Sequence, residues 1–377
     1  MDDAVLFGTL NSSSQFDSDS GMQKADFKFT NLVDKNLYVP VLDHHLQSWL
    51  SIRELHLGVP NLHPRLLQGI CSLLQRPQFK SFTLSSADFR HQVLDDILTT
   101  VARHRENNPL DKLMFVSLQE KVDNMEDHLV TDHLSGKNDE EMEMFVKQFE
   151  STRIAETAEF QGTRLLELYL CSLGVKSECI LLGYVLKDAA LTSLCYSNSV
   201  SRLFVQLHLK YLTLKERRLS TLILEEWQIL STTSCQVLSN FLTSVSSSLQ
   251  NLSLKGCLNL SDTNRFTGIL ESISNCKNLR SLDLSENHLG ENSLQYLTKI
   301  LANTQVRELA LRKNGLSLST VLMLLKDIAD PRNHSLDTLD LRRNKFWEAQ
   351  RLQYSDLIKN ATRYLLVDHG PSSADDT

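Results

Sequence analysis

The chain has 377 residues, with 39 Lys and Arg against 46 Asp and Glu, a formal charge of −7. With a pI near 6.0 it offers no basic footprint for nucleic acid, and no stretch approaches the ~18 apolar residues of a membrane span. Seven cysteines is an odd number with no CxxC pair, a usage that predicts reduced, buried thiols and a cytosolic or nuclear location.

Residues 1–26 carry NSSSQFDSDS, a polar composition that predicts a disordered tail. The start MDD lacks a basic region followed by an apolar run, so no signal peptide is expected. Residues 27–51 are apolar enough (Phe29, Leu32, Val33, Leu42, Leu46) to form an N-terminal cap. A stack of repeats needs one, because its terminal core would otherwise face water. His44 and His45 lie there without the Cys/His spacing of a zinc site, so a role in the cap is expected.

From Ile52 the sequence repeats. The template is clearest near the C-terminal end: LRSLDLSENHL from Leu279, VRELALRKNGL from Val306 and LDTLDLRRNKF from Leu336 all fit LxxLxLxxNxL. Applied upstream it finds starts at 52, 79, 110, 165, 191, 219 and 249, with only the 110–165 interval breaking a period near 28. Cys257 and Trp227 stand at the Asn place of the 249 and 219 copies. Ala361, Tyr364 and Leu366 are read as a final half-repeat.

The template has a direct physical meaning. In a short strand Leu282 and Leu284 share one face, pointing into the stack, while Ser281, Asp283 and Ser285 point out. Asn287 can hold the corner through its amide. Leu294, Leu297, Ile300 and Leu301 then recur at helical spacing, as do Val321, Leu322, Leu325 and Ile328. No repeat buries its apolar face alone, so stability comes from stacking.

In these residues the chain resembles the ribonuclease-inhibitor-like class of leucine-rich repeats, over roughly residues 46–370. The resemblance implies an α/β solenoid, a horseshoe of about ten repeats with a parallel concave sheet and convex helices. It would occupy 52–370 and leave a disordered tail at 371–377. It also implies an intracellular platform that binds other proteins.

An acidic insertion is expected at 119–160. Residues 119–150 hold ten acids, including Glu126, Asp127, Asp139, Glu140, Glu141 and Glu143, against Lys121, Lys137 and Lys147. Such charge density with few apolar residues predicts a solvated loop.

No GxxxxGK[ST], GxSxG or HExxH occurs. Asp283 and Asp340 hold equivalent strand positions two repeats apart, and read as surface carboxylates rather than a catalytic pair. No enzyme activity, cofactor or metal is expected. The outward face of the sheet is therefore the candidate site, with Tyr169, Glu225, Lys255, Asp283, Glu308, Arg312, Asp340, Arg342 and Arg343 as contact residues. The expected function is a scaffold or adaptor for a protein partner, with no nucleic-acid or membrane contact and a monomeric state outside complexes. A substrate receptor of a cullin-type ubiquitin ligase is the first alternative, although the nearest elongin-binding box, Ala190-Leu191 to Ser199 around Cys195, lacks its last aliphatic residue. The second is regulation of a basic protein through the acidic loop.

Overall fold

A computed structural model describes residues 16–17, 21–22, 24–28, 35–48, 52–58, 62–85, 88–89, 96–98, 100–101, 110–116, 119–120, 167–170, 191–196, 202–213, 218–227, 229, 232–258, 263–289, 293–329, 336–346 and 348–367. They belong to two units, one over 1–192 with 199–205, the other over 193–198 with 206–377. Among the described residues no helix is long and apolar enough to cross a membrane.

In the first unit, β1 (Phe16–Asp17) and β2 (Gly21–Met22) form a short antiparallel pair. β3 (Lys24–Lys28), β4 (Glu54–Gly58), β5 (Ser81–Ser85), β7 (Lys112–Val116) and β9 (Glu167–Leu170) pair in parallel, in that order. Leu55, Phe82, Leu113 and Leu168 face one another in register and are all fully buried. These are the fourth places of four sequence repeats, so the period sets the register. β3 adds a strand upstream of Ile52, with Ala25 and Phe27 opposite Leu55 and Leu57. It crosses the boundary expected at residue 26 between tail and cap.

Helices α1 (Lys35–Ser48) and α2 (Pro64–Leu74) accompany this sheet. α2 starts with Pro64 at its first turn, where no N–H is needed, and His63 Nδ1 accepts from the Arg65 amide at 3.2 Å. Gly69, inside α2, weakens the helix intrinsically. Its reason is contact, since a methyl there would sit 2.9 Å from Leu46 Cβ on α1. Of the expected acidic insertion, only β8 (Gln119–Glu120) is described, paired in parallel with β6 (Asp88–Phe89). Glu126, Asp127, Asp139, Glu140, Glu141 and Glu143 lie outside the described residues.

The second unit carries a seven-stranded, all-parallel sheet of β10 (Ser193–Tyr196), β11 (Thr221–Leu224), β12 (Asn251–Ser253), β13 (Ser281–Asp283), β14 (Glu308–Ala310), β15 (Leu336–Asp340) and β16 (Thr362–Leu366). Leu194, Leu222, Leu252, Leu282, Leu309 and Leu339 form one unbroken register row, each at most 2 % exposed. The connecting helices are α3 (Arg202–Thr213), α4 (Thr232–Ser244), α5 (Thr263–Ser274), α6 (Leu294–Asn303), α7 (Leu318–Ile328), and the short α8 (Glu348–Gln353) and α9 (Ser355–Ala361). This alternation makes the chain an α/β protein built from repeated parallel strand–helix units.

The helix faces follow the periodicity with one correction. α6 buries Leu294, Leu297, Ile300 and Leu301 as expected. α7 buries Leu324 with Val321, Leu325 and Ile328, whereas Leu322, expected to face inward, is half-buried. The helical pattern continues through i+3 and i+4 from Val321, which selects Leu324 and Leu325. In the core of this unit Tyr196 replaces the usual sixth-place Leu, and its hydroxyl hydrogen-bonds His208 Nδ1 on α3, so the buried phenol keeps a partner.

The corners are held by a ladder of side-chain amides. Asn287 Oδ1 accepts from the Leu258 amide at 2.7 Å and its Nδ2 donates to the Leu254 carbonyl at 2.9 Å. Asn314 repeats the arrangement one repeat on, accepting from the Asn287 amide and donating to Leu284 O. Asn344 does the same with Asn314 N and Leu311 O. Where Cys257 stands instead, its thiol donates to Leu224 O at 3.2 Å, supplying half of the Asn function. Burial pushes that thiol up to about 12, so it stays a protonated donor. One place before each of these four residues, and before Trp227 at the same place of the 219 copy, the backbone is left-handed, at Gly256, Glu286, Lys313, Arg343 and Glu226. Only the 249 copy meets that demand with glycine.

The final half-repeat requires a second correction. The template aligned Ala361, Tyr364 and Leu366 with the inward places. The pairing instead sets Thr362 opposite Leu336 and Leu365 opposite Leu339. Leu365 is buried, while Tyr364 and Leu366 are 55 % and 40 % exposed. A slip of one residue exchanges the faces of a strand, and here it moves two large side chains outward.

Candidate functional site

The helices pack against one side of the second unit's sheet, and the alternate side chains of its strands form the other. Along β13 to β16 the register gives two rows on that open face: Ser281, Glu308, Thr338 and Tyr364, then Asp283, Ala310, Asp340 and Leu366. Ser285, Arg312 and Arg342 continue the face just beyond their strands. Neighbouring strands lie about 4.8 Å apart, so side chains of successive repeats interact along a row.

Two charge clusters result. Glu286 lies between Lys255 and Lys313, at 3.7 and 3.2 Å. The hydrogen bond from Lys313 and the nearby Lys255 charge hold its carboxyl below the usual carboxylate range, against a smaller opposing effect of burial. In the second cluster Asp340 receives Arg312 Nε at 2.6 Å and Arg342 through Nε at 3.0 Å and Nη2 at 2.7 Å. The Arg342 amide adds a bond at 3.2 Å.

Asp340 is therefore not the surface carboxylate that its strand position predicts. It is 3 % exposed, covered by the two arginines it binds. Ser285, also expected outward, is buried and accepts from the Arg312 amide at 3.1 Å. Position alternation cannot reveal this, because Asp340 is covered by long side chains, Arg312 from the adjacent repeat and Arg342 from its own. Burial alone would raise the Asp340 carboxyl, but its bonds from Arg342 and Arg312 outweigh that and hold it below its usual value. The cluster's contribution to stability is thus complete above the ordinary Asp range near pH 4. It is lost as pH falls through the depressed folded value. Asp340→Asn should lower the urea midpoint at pH 7, and the gap to the unaltered chain should narrow as the pH falls below about 4. A pH-independent gap would sink this account.

The other predicted residues are placed as follows. Glu225, Glu308 and Arg343 are exposed, and Asp283 is half-buried with its Oδ1 accepting from the Ser285 amide at 2.8 Å. Tyr169 belongs to the first unit, in β9 opposite Met114, and its side chain lies outside the described residues. The geometry adds Tyr364 and Leu366 to the face and joins Glu286 to its charge pairs. Glu286 is legible in the sequence as one of the charges that collect at this end of the face, with Lys255 and Lys313. The other two were hidden by the slipped register. Arg363 places its guanidinium carbon 5.3 Å from the Tyr364 ring centre, giving that ring a cationic neighbour.

Among the described residues no group of three His, Cys, Asp or Glu could hold a metal ion. Cys276, like Cys257, is pushed up to about 12 by burial, which suits a packing role rather than a nucleophile. What the face offers chemically is fixed charge and exposed apolar surface. No protein-family model matches this sequence, and no curated protein is significantly similar to it.

Proposed function

We propose that the chain is a leucine-rich repeat protein of the ribonuclease-inhibitor-like class, acting inside the cell as a non-enzymatic protein-binding scaffold. In this reading the open face of the second unit's sheet is the concave surface of a horseshoe and receives the partner. The observation that carries it is the pairing of cations on that face. Lys255 and Lys313 are held by Glu286, and Arg312 and Arg342 by Asp340, so their positions are set before a partner arrives. Charges arranged in this way favour register and on-rate in protein recognition. An adaptor needs a surface of this kind and no reacting group.

The test is affinity capture from cells with the whole chain and with a Lys255→Glu, Arg312→Glu variant of unchanged circular dichroism. At least one partner should be lost from the variant. An identical partner set for both would refute the face as the contact surface.

A further inference from the structure

We infer that the C-terminal end of this face is a recognition site for a peptide segment in which an Asp or Glu carboxylate lies beside an apolar side chain. The inference rests on the proposed protein-binding role and specifies the partner's chemistry. Its first support is the state of Arg312. Among the described residues its side chain bonds Asp340 through Nε alone, and 48 % of it is exposed. The two terminal nitrogens keep their donors, in the planar fork that accepts a carboxylate with two parallel bonds. Asp340 fixes the direction of that fork, so a ligand need not order it.

The second support is charge. Arg312, Arg342 and Asp340 sum to one positive charge between the three of them, a sign that favours a carboxylate. A phosphate would bring about −1.5 to −2, more than the cluster balances. The third is apolar surface. Leu366 pairs with Asp340 across β15 and β16, and Tyr364 with Thr338. They are two of the four exposed large hydrophobic residues among those described, and they stand on one face within about one strand spacing of the arginine cluster. An exposed Tyr and Leu beside oriented arginines is the composition of an interface centre, rich in Tyr and Arg.

The whole chain would be panned against a displayed library of random short peptides, and the selected peptide measured by fluorescence anisotropy. The selected sequences should share an acidic residue beside an apolar one. Changing that acid to its amide, Arg312→Ala, or Tyr364→Ala should each weaken binding by about 10-fold or more. Arg312→Lys keeps the charge but lacks the fork and should recover little of the loss. Gln295→Ala, on the helix side, should leave binding unchanged. Circular dichroism confirms that each variant is folded. Sensitivity to Glu225→Lys or Lys255→Glu but not to Arg312→Ala overturns the inference and leaves the binding face standing. Indifference to all face variants defeats both. A library without binders, or a phosphoserine version that binds more tightly than the carboxylate, also overturns the inference.

Discussion

Asn314→Ala should destabilise the second unit by about 3 to 5 kcal/mol, at roughly 1 to 3 kcal/mol for each buried group left without a partner. Asn314 is buried, and its two amide atoms serve three backbone groups: Oδ1 accepts from Asn287 N at 2.8 Å and from Leu289 N at 3.4 Å, and Nδ2 donates to Leu284 O at 3.0 Å. Alanine leaves all three in a site closed to water. Asn314→Asp separates the roles, since it keeps an acceptor and turns the donor into a second acceptor against the Leu284 carbonyl. It should also destabilise. Urea titration followed by circular dichroism reads the total. Stacked repeats need not unfold in one step, so amide exchange at Asn287 and Leu289 is the sharper measurement. Slow exchange at both in the alanine variant would show that the ladder is dispensable.

Leu282→Ala is expected to cost a further-ranging 3 to 5 kcal/mol, within the roughly 2 to 5 kcal/mol range of buried Leu truncations. Leu282 is 1 % exposed and sits in register between Leu252 and Leu309. It is held on both sides by neighbouring strands and from behind by the helix layer, so the cavity has little freedom to collapse. The next residue along, Asp283, faces the other way, and Asp283→Ala should cost far less. The same comparison checks the corrected register of β16. Leu365→Ala should destabilise more than Leu366→Ala, because the first is buried and the second exposed. A larger effect at 366 than at 365 would restore the template's alignment.

Much of the architecture was legible because the repeat imposes neighbours at fixed spacing. Leu194 through Leu339 stack in the register that the starts 191 to 336 require, and Asn287, Asn314 and Asn344 make the corner bonds that their place predicts. The reading failed where the repeat ended. The last strand has only weak template matches, and TRYLL offers apolar residues at adjacent positions, so alternation alone could not choose between Leu365 and Leu366. The helix-face correction at Leu322 and Leu324 has the same origin, since VLMLL supplies more apolar residues than one face can take.

The candidate site was legible in part. Sequence located the charges of Lys255, Arg312, Asp340 and Arg342 on the outward face, but treated each as an independent surface group. The arrangement places two guanidiniums on one buried carboxylate and two ammonium groups on Glu286. Three of these four pairings join residues about one repeat apart, and Arg342 reaches Asp340 from two places along its own repeat, at distances that a strand pattern does not state.

By itself the sequence determined the period, the inward leucines, the asparagine corners and the parallel α/β repeat, because each depends on the local spacing of residue types. Only the tertiary structure decided that Asp340 is buried, that among the described residues the Arg312 side chain bonds Asp340 through Nε alone, and that Tyr364 and Leu366 face outward. Those outcomes depend on which side chain of the next strand lies alongside. Register and side-chain reach settle that, and neither is written within a single repeat.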